Sequence, residues 1–417
     1  MNERQGYRHN HYVPVWYQEL FLTPDLREQK FKYLDLRPDV FADAKGERRA
    51  RTALRRWGPK LCFAEPDLYT TRLGSWYSTE IEQKFFAQVD DRGRPAVEFW
   101  HDFALPRISR NAFLELIRFM TLQKLRTPKG LAHLADATSS VSQNAVLVEL
   151  QRFQNIYGAI WAEAEWAIAD ASESPTRLLL SDHPVTVYNL RCFPGSKHCA
   201  EWRDPEPWLN GTHTFFPLSL NKLLILTNTS WVRNPYGDPV KPRPNPNPIR
   251  SAIFKFTDVQ TGRKLSEQEV LEINYVIKAR AHRFIAAAQE EWLYPELSLA
   301  TTHWSKLGNG LLFMPDPRSV SFTAEVIVGG YPDGRPADRW DEYGRRPGQP
   351  GFDDAKTRAK ESRTFEAFKG EFARLFGPKH RGAAGRFGRY SDQDSPEYHA
   401  ALLGEERPEL SKARGRR

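Results

Sequence analysis

Two histidines near the beginning of the sequence are candidates for acid–base or metal chemistry. His9 and His11 lie two residues apart, and on an extended chain this spacing points both imidazoles to the same side. Paired imidazoles can bind a metal ion or transfer protons, so we select His11, together with the neighbouring Tyr12, as a candidate. The alternative is a short polar strand, ended by Pro14, that has no chemical role.

A second group of candidate residues follows an apolar segment. Residues 178–180 are three leucines, and Ser181, Asp182 and His183 come directly after them. Pro184 favours an extended conformation at His183, and binding sites often gather at strand ends. Asp182 could orient an imidazole, bind a metal or accept a proton. The alternative is a turn in which Asp182 accepts hydrogen bonds from local backbone amides.

Gln123 and Arg126 are polar residues on a segment that is otherwise strongly apolar. On a helix they share one face with Phe119, and burial there would require hydrogen-bond partners for both. Arg126 could bind a phosphate or a substrate carboxylate through two parallel hydrogen bonds. An internal ion pair with an acidic residue such as Glu80 or Glu82 is the commoner arrangement.

The motifs that define several large enzyme classes are absent from the sequence. It contains no Walker loop, no Gly-x-Gly-x-x-Gly, no His-Glu-x-x-His and no Gly-x-Ser-x-Gly. A zinc site could be assembled from Cys192, His198 and Cys199 with His183 or His213, but this set lacks the Cys-x-x-Cys spacing of a compact zinc site. The sequence therefore identifies no cofactor and no metal ligands.

Helices are predicted to position the candidates in the first half of the chain. The apolar pattern of residues 110–125, with Ser109 as N-cap and Pro128 as the stop, predicts a buried helix. A second helical pattern covers residues 142–171.

Strands and one late helix are predicted for the second half. A capping box at Ser266 begins a helix whose apolar pattern continues to Ala288. The short apolar runs between Pro, Gly and Asn predict strands at 177–180, 185–188, 214–218 and 222–227.

These elements predict an α+β fold with a helix-rich first half packed on a small mixed or antiparallel sheet, covered by the late helix. We expect one domain over residues 1–300, which comprises an N-terminal segment (1–58), a helical part (59–175) and the sheet with the late helix (176–300). Extra strands are expected within 301–331. A largely flexible basic tail, with a short helix near 362–376, is expected within 332–417.

Composition limits the location and the partners. A hydrophobic share of 40% and a charged share of 27% are typical of a globular protein, and no apolar window approaches the roughly 20 residues that span a bilayer. Three cysteines and a polar N-terminus predict a cytoplasmic protein. The net charge of +8 arises from 60 basic and 52 acidic residues, so it permits a nucleic-acid or other polyanion partner without requiring one.

Several motifs, taken in order, resemble one family. They are His11-Tyr12-Val13-Pro14 with Tyr17 and Phe21, Glu65-x-x-Leu68-Tyr69, Ile81-Glu82, Gln123-x-x-Arg126-Thr127-Pro128, Ser181-Asp182-His183-Pro184-Val185, Pro217-Leu218-Ser219 and a late helix with Asn274. Together they resemble the bacterial domain-of-unknown-function family 4238 over residues 7–288. Many members have Asn in place of His183, so the resemblance does not make this imidazole an obligatory catalyst.

The resemblance implies no established activity, substrate or cofactor. It suggests that five polar residues from separate elements converge: His11, Gln123, Arg126, Asp182 and Asn274. We assign His11, Asp182 and His183 to catalytic roles and Tyr12, Gln123, Arg126 and Asn274 to substrate binding.

Three functions are compatible with these observations. The first is a hydrolase or nuclease-like effector in which Arg126 steers an anion or a phosphate. The second is a nucleic-acid or nucleotide binding module, which the basic segments 45–56 and 407–417 and the aromatic content favour. The third is a non-catalytic scaffold or interaction protein. We favour the first, because a structural network rarely needs His, Gln, Arg and Asp together.

Overall fold

The chain has an α+β fold, as the sequence predicts. The computed structural model describes residues 9–24, 29–42, 46–74, 76–199, 203–310, 314–322, 326–330, 332–334, 336–352, 354–380 and 393–405. Their helices are α1 Val15–Glu19, α2 Ala87–His101, α3 Arg110–Leu125, α4 Pro128–Ala137, α5 Gln143–Arg152, α6 Gly158–Ala162, α7 Thr229–Arg233, α8 Glu267–Arg280, α9 Ala355–Phe376 and α10 Pro396–Glu405.

The strands are short and group into two main sheets and several hairpins. Their bounds are β1 His9–His11, β2 Phe31–Asp35, β3 Val40–Ala42, β4 Arg48–Ala50, β5 Leu54–Trp57, β6 Ala64–Pro66, β7 Thr71–Leu73, β8 Trp76–Ser78, β9 Ala164–Asp170, β10 Leu180–Ser181, β11 Thr186–Asn189, β12 Thr212–Pro217, β13 Lys222–Asn228, β14 Gln260–Lys264, β15 Phe284–Ala287, β16 Val326–Gly330, β17 Pro336–Trp340, β18 Lys379–His380 and β19 Gln393–Asp394.

The larger sheet has the order β11-β12-β13-β9-β14, in which all neighbours are antiparallel except β14 and β9. The second sheet, β10-β15-β2-β5, is antiparallel throughout. Three of the four predicted strands correspond to β11, β12 and β13, while only the end of the first, at β10, is paired. The predicted small sheet is therefore present.

α3 lies at the centre of the main core, and its bounds are those that the sequence predicts. The hydroxyl of Ser109 caps it by accepting a hydrogen bond from the amide of Ala112 at 3.2 Å. Phe119 packs against Tyr17 and against Phe216 of β12, with ring centroids 5.9 and 6.2 Å apart. The helix is therefore fixed against the larger sheet, and so is the polar end that follows it.

The predicted helix at 142–171 is wrong in its second half. Residues 143–152 and 158–162 form α5 and α6, but 164–170 form β9, which pairs with β13 and β14. Six of the seven residues of β9 are buried. A strand that is buried on both faces has no alternation of apolar and polar residues, so its pattern does not distinguish it from a buried helix.

The predicted late helix is correct at its start and too long at its end. The capping box at Ser266 is present, but α8 ends at Arg280, and residues 284–287 form β15 between β10 and β2. The backbone amides at the start of β15 and just before it bind the carboxylate of Asp182, which fixes this strand in place of another helical turn.

The predicted helix near 362–376 lies inside α9. Among the described residues of the 301–331 segment, one strand, β16, is present. Of the predicted tail, residues 335, 353, 381–392 and 406–417 lie outside the described residues. Within the described part of the chain, no helix is long and apolar enough to cross a bilayer.

Candidate functional site

Two lysines flank the turn between α3 and α4. The hydroxyl of Thr127 caps α4 by accepting a hydrogen bond from the amide of Gly130 at 3.2 Å. Pro128 fits the first position of α4, where no amide donor is needed. Gly130 must lack a side chain, because a Cβ there would lie 2.1 Å from the carbonyl oxygen of Lys124. This tight turn brings Lys124 and Lys129 to one carboxylate.

That carboxylate belongs to Asp204, which binds both lysines and a histidine. Lys124 Nζ lies 2.7 Å from Oδ2, and Lys129 Nζ lies 2.6 Å from Oδ1. His183 Nε2 lies 2.9 Å from Oδ2. None of the four side chains is more than 9% exposed. Lys129 also donates to the carbonyl of Arg280 at 2.7 Å.

Three side chains contact His183, and the closer two, Thr127 and Asp204, determine its proton positions, because Lys124 Nζ lies farther from Nε2, at 3.4 Å. Thr127 Oγ1 already accepts the Gly130 amide, so it can donate its own proton to His183 Nδ1 at 2.8 Å. The Asp204 carboxylate has no proton to give, so His183 Nε2 carries the hydrogen. Burial lowers the pKa of His183 to about 3, which makes the imidazole neutral at pH 7. His183 therefore positions the carboxylate of Asp204.

The four side chains carry one positive charge in excess, since two ammonium groups share one carboxylate. Burial alone would raise the pKa of Asp204, but Lys124, Lys129 and His183 together hold it well below its ordinary value. Burial lowers the pKa of Lys129 even though Asp204 opposes the change. The cluster is thus a buried centre that one carboxylate only partly neutralises.

This cluster forms one wall of a cavity of about 340 Å³, which we call the Asp204 cavity. Apolar surface comes from Leu125, Ala132 and Tyr157 and from Pro205 and Pro207 on the Asp204 loop. Ligand sites typically combine such an apolar lining with a few convergent polar groups.

Further titratable groups line the same cavity. Burial lowers the pKa of His133 and of His282, so both imidazoles are neutral at pH 7. Burial raises the pKa of Glu206, with Lys124 opposing the shift. His282 Nδ1 is buried and has no hydrogen-bond partner within the described residues. Proton acceptors and a carboxyl group therefore stand around the space beside the lysines.

A family of proteins of unknown function, DUF4238, matches residues 9–291 of the sequence. This chain belongs to the DUF4238 family. The matched region contains every residue of the Asp204 cavity, because the lining residues extend from Lys124 to His282. No curated protein and no solved structure matches the chain.

In this DUF4238 chain Gln123 and Arg126 lie side by side, and Arg126 forms a buried ion pair with Asp90. Arg126 binds both carboxylate oxygens of Asp90, at 2.8 and 3.2 Å, and its Nε donates to the carbonyl of Tyr12 at 3.2 Å. The Gln123 amide can form hydrogen bonds on both sides in one orientation. Its oxygen then accepts from Arg126 Nε at 3.0 Å and its nitrogen donates to the Tyr12 carbonyl at 3.3 Å. The acidic partner is Asp90, rather than Glu80 or Glu82.

Asp182 is held by the backbone. Its carboxylate accepts hydrogen bonds from the amides of His282, Arg283 and Phe284 at 2.6 to 2.8 Å. Burial raises the pKa of Asp182 to about 6, with these amides opposing the shift. The carboxylate thus joins the end of β10 to the start of β15, which is a positioning role.

Asn274 and His11 also bind backbone groups. Asn274 accepts from the amide of Leu179 at 3.1 Å and donates to the carbonyl of Arg177 at 2.8 Å, so it joins α8 to the segment before β10. His11 Nε2 lies 3.1 Å from the carbonyl oxygen of Lys60. Of the residues selected from the sequence, His183 is the one that lines the Asp204 cavity.

The sequence analysis did not predict several residues of the cavity: Lys124, Lys129, His133, Asp204 and Glu206. Two features of the sequence point to some of them. Lys124 is a charged residue within a buried helix, directly beside Gln123, and Asp204 and Glu206 alternate with prolines in a loop. Lysines on helices are usually solvated, however, and a loop carboxylate has no periodicity that predicts its burial.

Proposed function

We propose that this DUF4238 protein binds a small organic anion in the Asp204 cavity, either a phosphate monoester or an ester that carries a free carboxylate, and hydrolyses its ester bond. The observation that carries the proposal is the pair of buried ammonium groups on a single carboxylate. A buried charge that is not fully neutralised is costly, and an anionic ligand would relieve that cost by supplying the missing negative charge. Ammonium groups are also effective point charges for binding a phosphate.

The proton-transfer groups around the cavity support the hydrolytic part of the proposal. Hydrolysis needs a base that activates water and an acid that protonates the leaving group. His133 is a neutral imidazole at pH 7, and burial moves the pKa of Glu206 upward, towards the range in which a carboxyl group can donate a proton. We assign His133 as the base and Glu206 as the acid, while Lys124 and Lys129 stabilise the negative charge that develops.

Anion binding is tested by isothermal titration calorimetry of the full chain with inorganic phosphate and with benzoate. Lys129→Met should weaken binding of the preferred anion by about tenfold or more, because a charge-assisted hydrogen bond contributes about 1.5–3 kcal/mol. Lys360→Met is the matched control, because Lys360 is exposed on α9 and does not line the cavity. Equal affinities for the two variants, or no binding of either anion by the wild type, would overturn the proposal.

Catalysis is tested separately with a chromogenic aryl phosphate and with a chromogenic aryl ester whose acyl group carries a free carboxylate. Glu206→Gln and His133→Asn should each lower kcat by about 100-fold or more, with little change in the affinity for phosphate. Anion binding without any turnover by the wild type would reduce the proposal to a binding function.

An exposed basic hairpin favours nucleic-acid binding as a second candidate function. β3 and β4 pair between Val40 and Ala50, and Arg48 and Arg49 lie exposed on β4. A fluorescent oligonucleotide titrated at two salt concentrations tests it, because binding through arginines weakens steeply with salt. Absence of binding at low salt would exclude this function.

A further inference from the structure

Two of the three cysteines form a buried pair that the proposed hydrolysis does not use. Cys192 and Cys199 are both fully buried and pack in one small apolar cluster with Leu209. Cys199 Sγ also lies 3.7 Å from the carbonyl oxygen of Cys192. The third cysteine, Cys62, lies in a different core.

Backbone hydrogen bonds fold the second half of the loop between the two cysteines. The amide of Cys199 donates to the carbonyl of Ser196 at 2.8 Å, and the amide of Gly195 donates back to the carbonyl of Cys199 at 3.2 Å. Gly195 has a φ of +82°, which glycine adopts without strain. Because Cys199 Sγ already lies beside the carbonyl oxygen of Cys192, a bond between the two sulfurs would close a loop whose ends the fold has brought together.

Arg280 provides a positive charge beside the pair. Its guanidinium donates to the carbonyl of Cys192 and, at 3.4 Å, to the carbonyl of Arg203. The neighbouring Cys192 thiol and the charge of Arg280 lower the pKa of Cys199, while the pKa of Cys192 is raised. One thiolate beside one thiol is the arrangement that supports oxidation to a disulfide.

We propose that Cys192 and Cys199 form a redox-active dithiol site that a hydroperoxide oxidises to an intramolecular disulfide. Both thiols are buried, so the oxidant must be small and uncharged. The Cys199 thiolate attacks the nearer peroxide oxygen, the O–O bond breaks, and the departing oxygen leaves as water or alcohol after taking a proton. The product is a sulfenic acid at Cys199.

The second step forms the disulfide. The sulfur of Cys192 attacks the sulfur of Cys199, the S–O bond breaks, and the hydroxide that leaves takes the Cys192 proton to become water. The two sulfurs lose two electrons in total, which the peroxide gains. A dithiol reductant reverses the change.

The site is also connected to the Asp204 cavity. The backbone carbonyl of Arg280 accepts the hydrogen bond from Lys129, and its guanidinium binds the carbonyl of Arg203, which immediately precedes Asp204. The proposal does not rest on the function of the cavity, because the chemistry involves the two thiols alone.

The experiment treats the reduced full chain with hydrogen peroxide, blocks the remaining thiols with an alkylating agent, and maps the peptides by mass spectrometry. The peptide that contains both Cys192 and Cys199 should lose the mass of two hydrogen atoms and escape alkylation, and a dithiol reductant should restore it. Cys62 is the internal control: burial raises its pKa to about 12, so it should stay reduced and be alkylated after unfolding.

Thermal unfolding of the oxidised protein and a Cys199→Ser variant test the disulfide further. The oxidised wild type should melt several degrees higher than the reduced form, because the disulfide restricts the unfolded chain. Cys199→Ser should show neither the mass change nor the shift in Tm, and the wild-type peptide map stands even if this variant folds poorly. Overoxidation of single cysteines without the disulfide, or oxidation of Cys62 at the same rate, would overturn the proposal.

Discussion

The end of α3 supplies two buried cationic centres that differ in how their charge is neutralised. On one side, Arg126 meets the carboxylate of Asp90, the Tyr12 carbonyl and the Gln123 amide. On the other side, Lys124 shares the carboxylate of Asp204 with a second lysine. Arg126 is more buried than Lys124, yet its single positive charge is balanced by the single carboxylate of Asp90. We call this the closed centre.

The difference shows which buried polar residues are available for chemistry. The guanidinium of Arg126 donates to both oxygens of a carboxylate and to further acceptors, so its hydrogen-bonding capacity is used within the protein. The Arg126 centre therefore has a structural role. The Asp204 cluster lacks one negative charge and borders an open space. Burial of polar residues alone therefore does not identify a site. The proposed site is distinguished by incomplete neutralisation next to a cavity.

The largest expected effect is that of Asp204→Asn, which removes the carboxylate that both lysines share. The free energy of unfolding should fall by about 3–5 kcal/mol at pH 7, because two buried ammonium groups lose their common partner. Urea unfolding followed by tryptophan fluorescence measures the change.

Asp90→Asn is the matched variant at the closed centre and should cost less, about 1–2 kcal/mol. Arg126 keeps the Tyr12 carbonyl, the Gln123 oxygen and the face of the Phe86 ring, 5.3 Å away. Equal losses for the two variants would contradict the distinction between a matched and an under-neutralised centre.

The sequence predicts the position of α3 and the need for partners at its end, because both depend on local patterns. The period of apolar residues, Ser109 and Pro128 define the helix, and apolar neighbours imply that Arg126 is buried. The identity of the partners depends on how distant segments pack. Asp204 lies 80 residues from Lys124 along the chain, and no local pattern relates them.

The errors in the predicted secondary structure also arise from packing between distant segments. β9 and β15 are strands because each lies between neighbouring strands, and their own residues, largely Ala, Ile, Phe and Trp, are equally compatible with a buried helix. Likewise, the sequence predicts that Asp182 is polar and buried, but the amides that bind it come from residues 282–284.

A second prediction concerns Asn274, whose side-chain amide, like the Arg126 guanidinium, has its hydrogen-bond partners within the protein. Asn274→Leu leaves the amide of Leu179 and the carbonyl of Arg177 without their partners, so it should cost about 2–3 kcal/mol of unfolding free energy. The affinity for phosphate should stay at the wild-type value, because Asn274 does not line the cavity. Selective loss of anion binding in a stable variant would instead support the substrate-binding role suggested by the resemblance.

A third prediction uses pH, because the pKa values of the two aspartates move in opposite directions. Burial raises the pKa of Asp90, with Arg126 opposing, so the folded state holds this proton more tightly than the unfolded state. Stability relative to Asp90→Asn should therefore rise as the pH falls from 7 to 4. The rise is about 1.4 kcal/mol for each tenfold difference in proton affinity between the folded and the unfolded state.

The contribution of Asp204 should not change over that range. Its folded pKa lies well below the ordinary 3.8, so the stability that its charge provides is complete above pH 3.8 and is lost only as the pH falls through the folded value. Urea unfolding of wild type, Asp90→Asn and Asp204→Asn at pH 7, 5.5 and 4 measures both trends. A penalty for Asp204→Asn that already shrinks at pH 5.5 would contradict the lowered pKa.

The smallest expected effect is that of Lys124→Met, which should change the free energy of unfolding by less than about 1 kcal/mol. Removing an ordinary buried ion-pair partner costs several kcal/mol, because a charge is left alone. Here Lys129 remains bound to Asp204, so the variant changes an excess of one positive charge into a matched pair, and methionine fills most of the lysine volume. Phosphate affinity should nevertheless fall, since one of the two ammonium groups is gone. Calorimetric binding and urea unfolding on the same preparation separate the two effects, and a loss of stability comparable to that of Asp204→Asn would show that both lysines are required for the fold.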